Sequence, residues 1–207
     1  MIRKDVICLI IGYAFGSFLT AAAVARRRGM SIFKAGSGNP GMANAMRLFG
    51  FGPGMAVLAG DILKTVTAWI VTGLMFGWSS AVTALTTVGA VLGHDFPFWH
   101  RFRGGKGVAV MCSGIVLMAP GWGFGALAAG AAVVILSHYL CLGAVAIPAL
   151  YIAPAWHVGG AVSGVCVIVL TGLAVLANAK SLKALAHREE PQVDVIELIR
   201  EKSKNKK

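Results

Sequence analysis

The sequence predicts an all-α integral membrane protein, a bundle of seven transmembrane helices with its amino terminus outside and its carboxyl terminus in the cytoplasm. Three observations predict it. Of 207 residues, 57% are hydrophobic and 13% charged, against about 45–50% and about 25% in a soluble domain. The apolar residues form long unbroken runs, without the every-second-residue alternation of a barrel strand. Lys and Arg crowd every second connection and leave the others bare. A soluble enzyme, a disordered chain and a disulfide-stapled secreted module are excluded.

The first span covers Val6–Ala25. Ala23-Val24-Ala25 resembles a signal-peptide cleavage site, but the apolar run is too long for one. Arg26-Arg27-Arg28 follows at once and holds that end inside, so a retained helix is expected. Further spans are expected at Pro53–Phe76, Ala81–Phe98, Val108–Ala119, Trp122–His138, Leu140–Ala155 and Gly160–Ala177. The apolar stock suffices for about six spans of about 20 residues, and for seven once intramembrane Gly, Ser and Thr are included.

Charge sets the orientation. The first loop carries Arg26, Arg27, Arg28, Lys34 and Arg47, the third carries Arg101, Arg103 and Lys106, and the tail from Lys180 on carries eight of the 19 Lys and Arg. The connections at 77–80, 120–121 and 154–157 carry none. Residues 1–179 are therefore read as one membrane domain and 180–207 as a basic cytoplasmic tail. In the tail Val193, Ile196, Leu198 and Ile199 give a weak apolar face, either an amphipathic surface segment or a solvated run drawn to anionic lipid. A net charge of +11 in so little loop suits anionic headgroups or a phosphate-bearing substrate. The setting gives no reason to expect nucleic acid. Cys8, Cys112, Cys141 and Cys166 lie in apolar runs without C-x-x-C spacing and read as buried thiols.

Chemistry concentrates in the charged loops. In the first, Gly36, Gly38 and Gly41 free the backbone to turn its N–H groups toward one point, a concavity that binds anions. Ser37, Asn39 and Asn44 supply neutral donors, and Arg47 supplies a planar fork for phosphate oxygens. A flexible solvated turn is the plainer reading. In the third loop, Arg103-Gly104-Gly105-Lys106-Gly107 sets flexible backbone between cations just ahead of a helix, the shape of a second phosphate cradle. It lacks the glycine spacing and following Ser or Thr of a Walker A loop. Phe96, Phe98, Trp99 and Phe102 suit the membrane interface or an acyl-chain entrance. Asp61 and Lys64, three apart within a span, share one helix face as an ion pair or as part of a site. His94 ends the third span as an acid, a base, a donor or a plain interfacial residue. No His-Glu-x-x-His or cysteine cluster offers a metal site, and no G-x-S-x-G elbow is present.

Gly36-Ser37-Gly38-Asn39-Pro40-Gly41 with Asn44 and Arg47, and Gly93-His94 with Pro97 and Phe102-Arg103-Gly104-Gly105-Lys106-Gly107-Val108-Ala109, strongly resemble the bacterial acyl-phosphate:glycerol-3-phosphate acyltransferases, the PlsY family. Gly16-Ser17 and Asp61-x-x-Lys64 also look like family features, and the resemblance runs over about residues 6–190. It implies seven spans, location in the cell inner membrane with the active-site loops on the cytoplasmic side, and acyl transfer from acyl phosphate to the 1-hydroxyl of glycerol 3-phosphate. That transfer yields lysophosphatidic acid, the first step of phospholipid synthesis, without acyl-CoA, metal or cofactor. On the resemblance, Ser37, Asn39, His94 and Lys106 are expected to be catalytic. Gly36, Gly38, Asn44, Arg47, Lys64, Arg103, Gly104, Gly105 and Glu190 are expected to bind substrate.

The chain also departs from the family. Ala43 stands where a Thr is usual, and His138-Tyr139-Leu140-Cys141-Leu142-Gly143-Ala144 lacks two family serines, at Cys141 and Ala144. Toward the carboxyl end, a His-x-x-Asn-x-x-Arg-Leu-x-x-Gly-x-Glu pattern becomes Asn178-x-x-Ser181-x-x-Ala184-Leu185-x-x-Arg188-x-Glu190. Two rivals therefore stand beside the acyltransferase: the same donor with a different acceptor, and a non-catalytic paralogue that binds acyl phosphate or lipid. A transporter is the weakest, since the polar loops gather at a membrane face and not at the midplane.

Overall fold

The computed structural model describes residues 2–192. The surface segment expected around Val193, Ile196, Leu198 and Ile199 lies outside them. The described residues form helices and short turns, with no strand. The first apolar run becomes two helices, α1 (Ile2–Gly16) and α2 (Thr20–Arg26), and a short helix α3 (Met42–Phe49) follows in the first loop. Then come α4 (Phe51–Phe76), α5 (Ser80–Asp95), α6 (Val108–Met118), α7 (Pro120–Ser137), α8 (Leu140–Ala177) and α9 (Ala179–Ala186).

Each expected span falls on helix, but three boundaries differ. The first span breaks at 17–19. The third ends at Asp95, three residues before Phe98, because Gly104 and Gly105 fold back against the end of α5. The sixth and seventh lie within one 38-residue stretch bent at Gly160, whose φ of 65° and ψ of −160° suit glycine almost alone. At 1.5 Å per residue that stretch is about 57 Å long, nearly twice a hydrocarbon core of about 30 Å. α1–α2 together, α4, α7 and α8 are long and apolar enough to cross a membrane, whereas α6 is a shorter apolar helix.

Packing shows that the rods alternate in direction. Lys4 bonds the Phe76 carbonyl at 3.2 Å, Ser80 bonds the Met118 carbonyl at 3.2 Å, and Gly159 lies against Ser80. These residues mark one end of the bundle. The other end gathers residues 18–50, 96–107, 138–140 and α9. α5 is the most enclosed helix. It meets α1 backbone to backbone, where Gly12 and Gly16 face Thr86 and Ala90, and Gly89 and Gly93 face Leu9 and Tyr13. Membrane helices use small residues in this way because close approach recovers dispersion energy that lipid otherwise supplies. Trp69–Thr83 (3.1 Å) and Thr72–Thr86 (2.9 Å) cross-link α4 to α5. Met111, Ile115, Tyr151, Val167 and Leu170 complete the core between α5, α6 and α8.

Candidate active site

The cationic loops lie at the end opposite Lys4, as the charge pattern expected. The first loop is a self-clamped turn. Gly36 and Gly38 hold φ of 59° and 72°. Asn44, buried on α3, reaches back beneath them: its Oδ1 accepts from the Ser37 N–H at 3.0 Å, and its Nδ2 donates to the Ala35 carbonyl at 3.1 Å. A side chain on Gly36 would strike that carboxamide. Asn44 is thus engaged at both ends of its amide, while Ser37 and Arg47 remain exposed beside Asn39.

The third loop is shaped by α5. Arg101 and Phe102, at φ 54° and 58°, turn the chain back on itself at about 1–3 kcal/mol each. The turn lays Gly104 and Gly105 on the end of α5, and the Gly105 N–H donates to the His94 carbonyl at 3.0 Å. A Cβ on Gly104 would collide with the His94 and Asp95 carbonyls, and one on Gly105 with the His94 ring. Asp95 Oδ1, buried and without a hydrogen-bond partner, would lie 2.8 Å from a Cβ on Gly107, the residue that caps α6. The Asp95 carboxyl group therefore already stands beside the helix terminus that the sequence suggested for a phosphate. These glycines have a packing reason of their own. Arg103 is exposed and Lys106 half-buried.

Beneath the loops is a buried polar cluster. Lys64 Nζ lies 2.9 Å from Asp61 Oδ1, 2.9 Å from the Phe18 carbonyl and 2.7 Å from His94 Nδ1. An ammonium has three N–H donors. These partners use all of them and leave none for a substrate. The break between α1 and α2 now has a physical account. It frees the Phe18 carbonyl inside an apolar run, where an unpaired carbonyl costs several kcal/mol, and Lys64 satisfies it.

The loops meet through the Phe33 and His100 rings, with centroids 5.2 Å apart. Close by, Phe18, Leu19, Ala22, Ala23, Trp99 and Arg26 line a cavity of about 300 Å³. The carboxyl-terminal segment closes on the third loop, where Lys106 Nζ donates to Ser181 Oγ at 3.1 Å. Gln192 bonds the Tyr139 hydroxyl at 3.2 Å, and Glu190, two residues before it in the chain, is half-buried. Sequence reasoning missed Ser181 as a partner of Lys106. Its place in the family's asparagine position was the available signal. It also missed Phe18, whose contribution is a backbone carbonyl that leaves no mark in side-chain patterns.

Fold and loops define a polytopic membrane protein that gathers glycine-rich, cationic loops at one end of its bundle. The chain belongs to the glycerol-3-phosphate acyltransferase family, whose description matches residues 6–189. It is 38% identical over 143 residues to the glycerol-3-phosphate acyltransferase of Rubrobacter xylanophilus, covering 69% of this chain and 71% of that one. It is 37% identical over 145 residues to glycerol-3-phosphate acyltransferase 1 of Deinococcus radiodurans, covering 70% and 73%. Its fold is similar to the crystal structure of PlsY (YgiH), an integral membrane glycerol 3-phosphate acyltransferase, in the glycerol 3-phosphate form. That match has a TM-score of 0.83 at 23% identity and covers 94% of this chain and 98% of that one.

Proposed function

We propose that this chain transfers a fatty acyl group from acyl phosphate to the 1-hydroxyl of glycerol 3-phosphate, giving lysophosphatidic acid. The observation that carries the reading is the convergence, at one end of the bundle, of two glycine-rich cationic loops with Lys106 held by the carboxyl-terminal segment. The relatives' names supply the acceptor and the product class. The acyl-phosphate donor is what the loops' resemblance to the acyl-phosphate-dependent family implies, and the chemistry of the loops suits it. An acyl phosphate is already activated, so the protein has only to bring two phosphate-bearing molecules together and orient a hydroxyl on a carbonyl. The hydroxyl oxygen bonds to the acyl carbon, the carbon–oxygen bond to phosphate breaks, and the departing phosphate takes the hydroxyl proton. No strong side-chain base is required.

In this reading Ser37, Asn39, Arg47, Arg103 and Lys106 contact the phosphates and the reacting carbonyl. Asn44, Gly36, Gly38, Gly104 and Gly105 shape the loops that carry them, and Glu190 acts from the closing segment. The acyl chain enters beside Trp99, through the cavity lined by Leu19, Ala22 and Ala23. The bundle crosses the inner membrane seven times with its amino terminus outside. That arrangement puts the cationic end in the cytoplasm, where phosphorylated substrates are made, and satisfies the positive-inside rule.

Lys106→Ala and Ser37→Ala test the reading. Both variants are expected to fold, shown by an unchanged elution profile and melting curve in detergent, and to lose turnover. Undiminished lysophosphatidic acid formation by both would overturn the site assignment.

A further inference from the structure

We infer that Lys64 is a positioning residue that fixes His94 in its neutral Nε2–H form, so that His94 serves the reaction as a hydrogen-bond donor to a substrate oxyanion and not as a base. Geometry carries the inference. The Lys64 ammonium has three partners, Asp61 Oδ1, the Phe18 carbonyl and His94 Nδ1, at 2.9, 2.9 and 2.7 Å. Two are oxygens that only accept, so the third N–H falls to Nδ1, which must offer its lone pair. An imidazolium would set two N–H donors facing each other at 2.7 Å, which no hydrogen bond can satisfy. With Nδ1 accepting, the ring proton stands on Nε2.

Nε2 lies against Gly105, the residue before Lys106. The glycine leaves the room that a Cβ would fill. His94 therefore turns one N–H toward the third loop, at the residue before Lys106. A positioned donor of this kind stabilises negative charge as it develops on a phosphoryl or carbonyl oxygen. A His locked in this form has no free lone pair with which to take a proton. The network also joins elements far apart in sequence: the α1–α2 break, α4 and the end of α5. The orientation of His94 thus depends on residues that touch no substrate.

The assignment of the tautomer stands on the structure alone, whereas the donor role rests on the acyl-transfer reading above, and the experiment separates them. Protein labelled with 15N-histidine is compared in detergent with His94→Gln, whose missing resonances identify His94. At neutral pH the account predicts a protonated Nε2 and a bare Nδ1, with the Nε2–H resonance moving when glycerol 3-phosphate or inorganic phosphate is added. An Nδ1–H tautomer, an imidazolium, or an Nε2–H indifferent to both phosphates would overturn it. In turnover, Lys64→Met is expected to lower kcat about 100-fold, roughly the effect of losing one transition-state donor, with little change in KM. His94→Gln, whose amide N–H can stand in for Nε2–H, should retain more activity than His94→Ala. Combining Lys64→Met with His94→Ala should cost little more than His94→Ala, because the pair acts as one unit. Full additivity of the two losses would contradict the positioning role even if the enzyme is an acyltransferase.

Discussion

The two halves of the site are built on different principles. The amino-terminal half, comprising the first and third loops, is shaped by backbone and held from below. Asn44 clamps the glycine turn, Gly104 and Gly105 seat on His94, and Lys64 ties the α1–α2 break to His94. The carboxyl-terminal half meets it through side-chain tips, Lys106 on Ser181, while Gln192 on Tyr139 ties that half to itself. The sequence departures from the family concentrate in that second half. Where the backbone itself is shaped by contact, one added methyl group breaks the geometry. Where a single hydroxyl meets a flexible lysine, a different polar residue can take its place.

This contrast can be broken by substitution, and the largest effects belong to the first half. Gly104→Ala drives a Cβ into the His94 and Asp95 carbonyls, which cannot move aside as a flexible side chain can. A loss of about 1–3 kcal/mol or more in stability is expected from overpacking, together with loss of turnover. A melting curve and an activity assay at matched folded fraction check both. Asn44→Ala comes next. It removes both part-buried bonds beneath the turn, worth about 0.5–1.5 kcal/mol each, and leaves the Ser37 N–H and the Ala35 carbonyl to find other partners. Asn44→Asp keeps the acceptor and should fall between Asn44→Ala and the parent chain.

Smaller effects are expected from the second half. Ser181→Ala removes the side-chain bond seen at Lys106 among the described residues, which is part-buried and worth about 0.5–1.5 kcal/mol, and Ser181→Asn should preserve it. Initial rates for the two variants sharpen the comparison directly: equal rates would mean that Lys106 does not depend on α9. The smallest change is expected from Cys141→Ser with Ala144→Ser, both at buried positions. These restore the hydroxyls usual in the family, and glycerol 3-phosphate turnover should rise. No rise in an active enzyme would mean that this half has been rebuilt around other groups.

Much of the fold was legible because membrane spans are written as continuous apolar runs, which tolerate little ambiguity. The breaks were less so. Gly160 sits among other glycines with no distinguishing neighbour, and Ser17 at the first break bonds the Tyr13 carbonyl as intrahelical serines commonly do. Their meaning depends on Lys64 and on the length of α8, both tertiary facts. In the site, Asp61–Lys64 was readable from its spacing, whereas His94 as their third member joins residues 30 apart. Asn44 shows the limit of reading by residue type. An asparagine in a glycine-rich cationic loop looks like a phosphate donor, and only the fold reveals that both ends of its amide are held by the loop itself.

The central claim is acyl transfer from acyl phosphate to glycerol 3-phosphate at the cationic end of the bundle. Its most direct test gives the purified protein glycerol 3-phosphate with either palmitoyl phosphate or palmitoyl-CoA, and reads the product by mass spectrometry with Lys106→Ala as control. The account predicts lysophosphatidic acid from palmitoyl phosphate alone, and none from the Lys106→Ala protein. Product from palmitoyl-CoA, or none from a folded protein that binds palmitoyl phosphate, would contradict it.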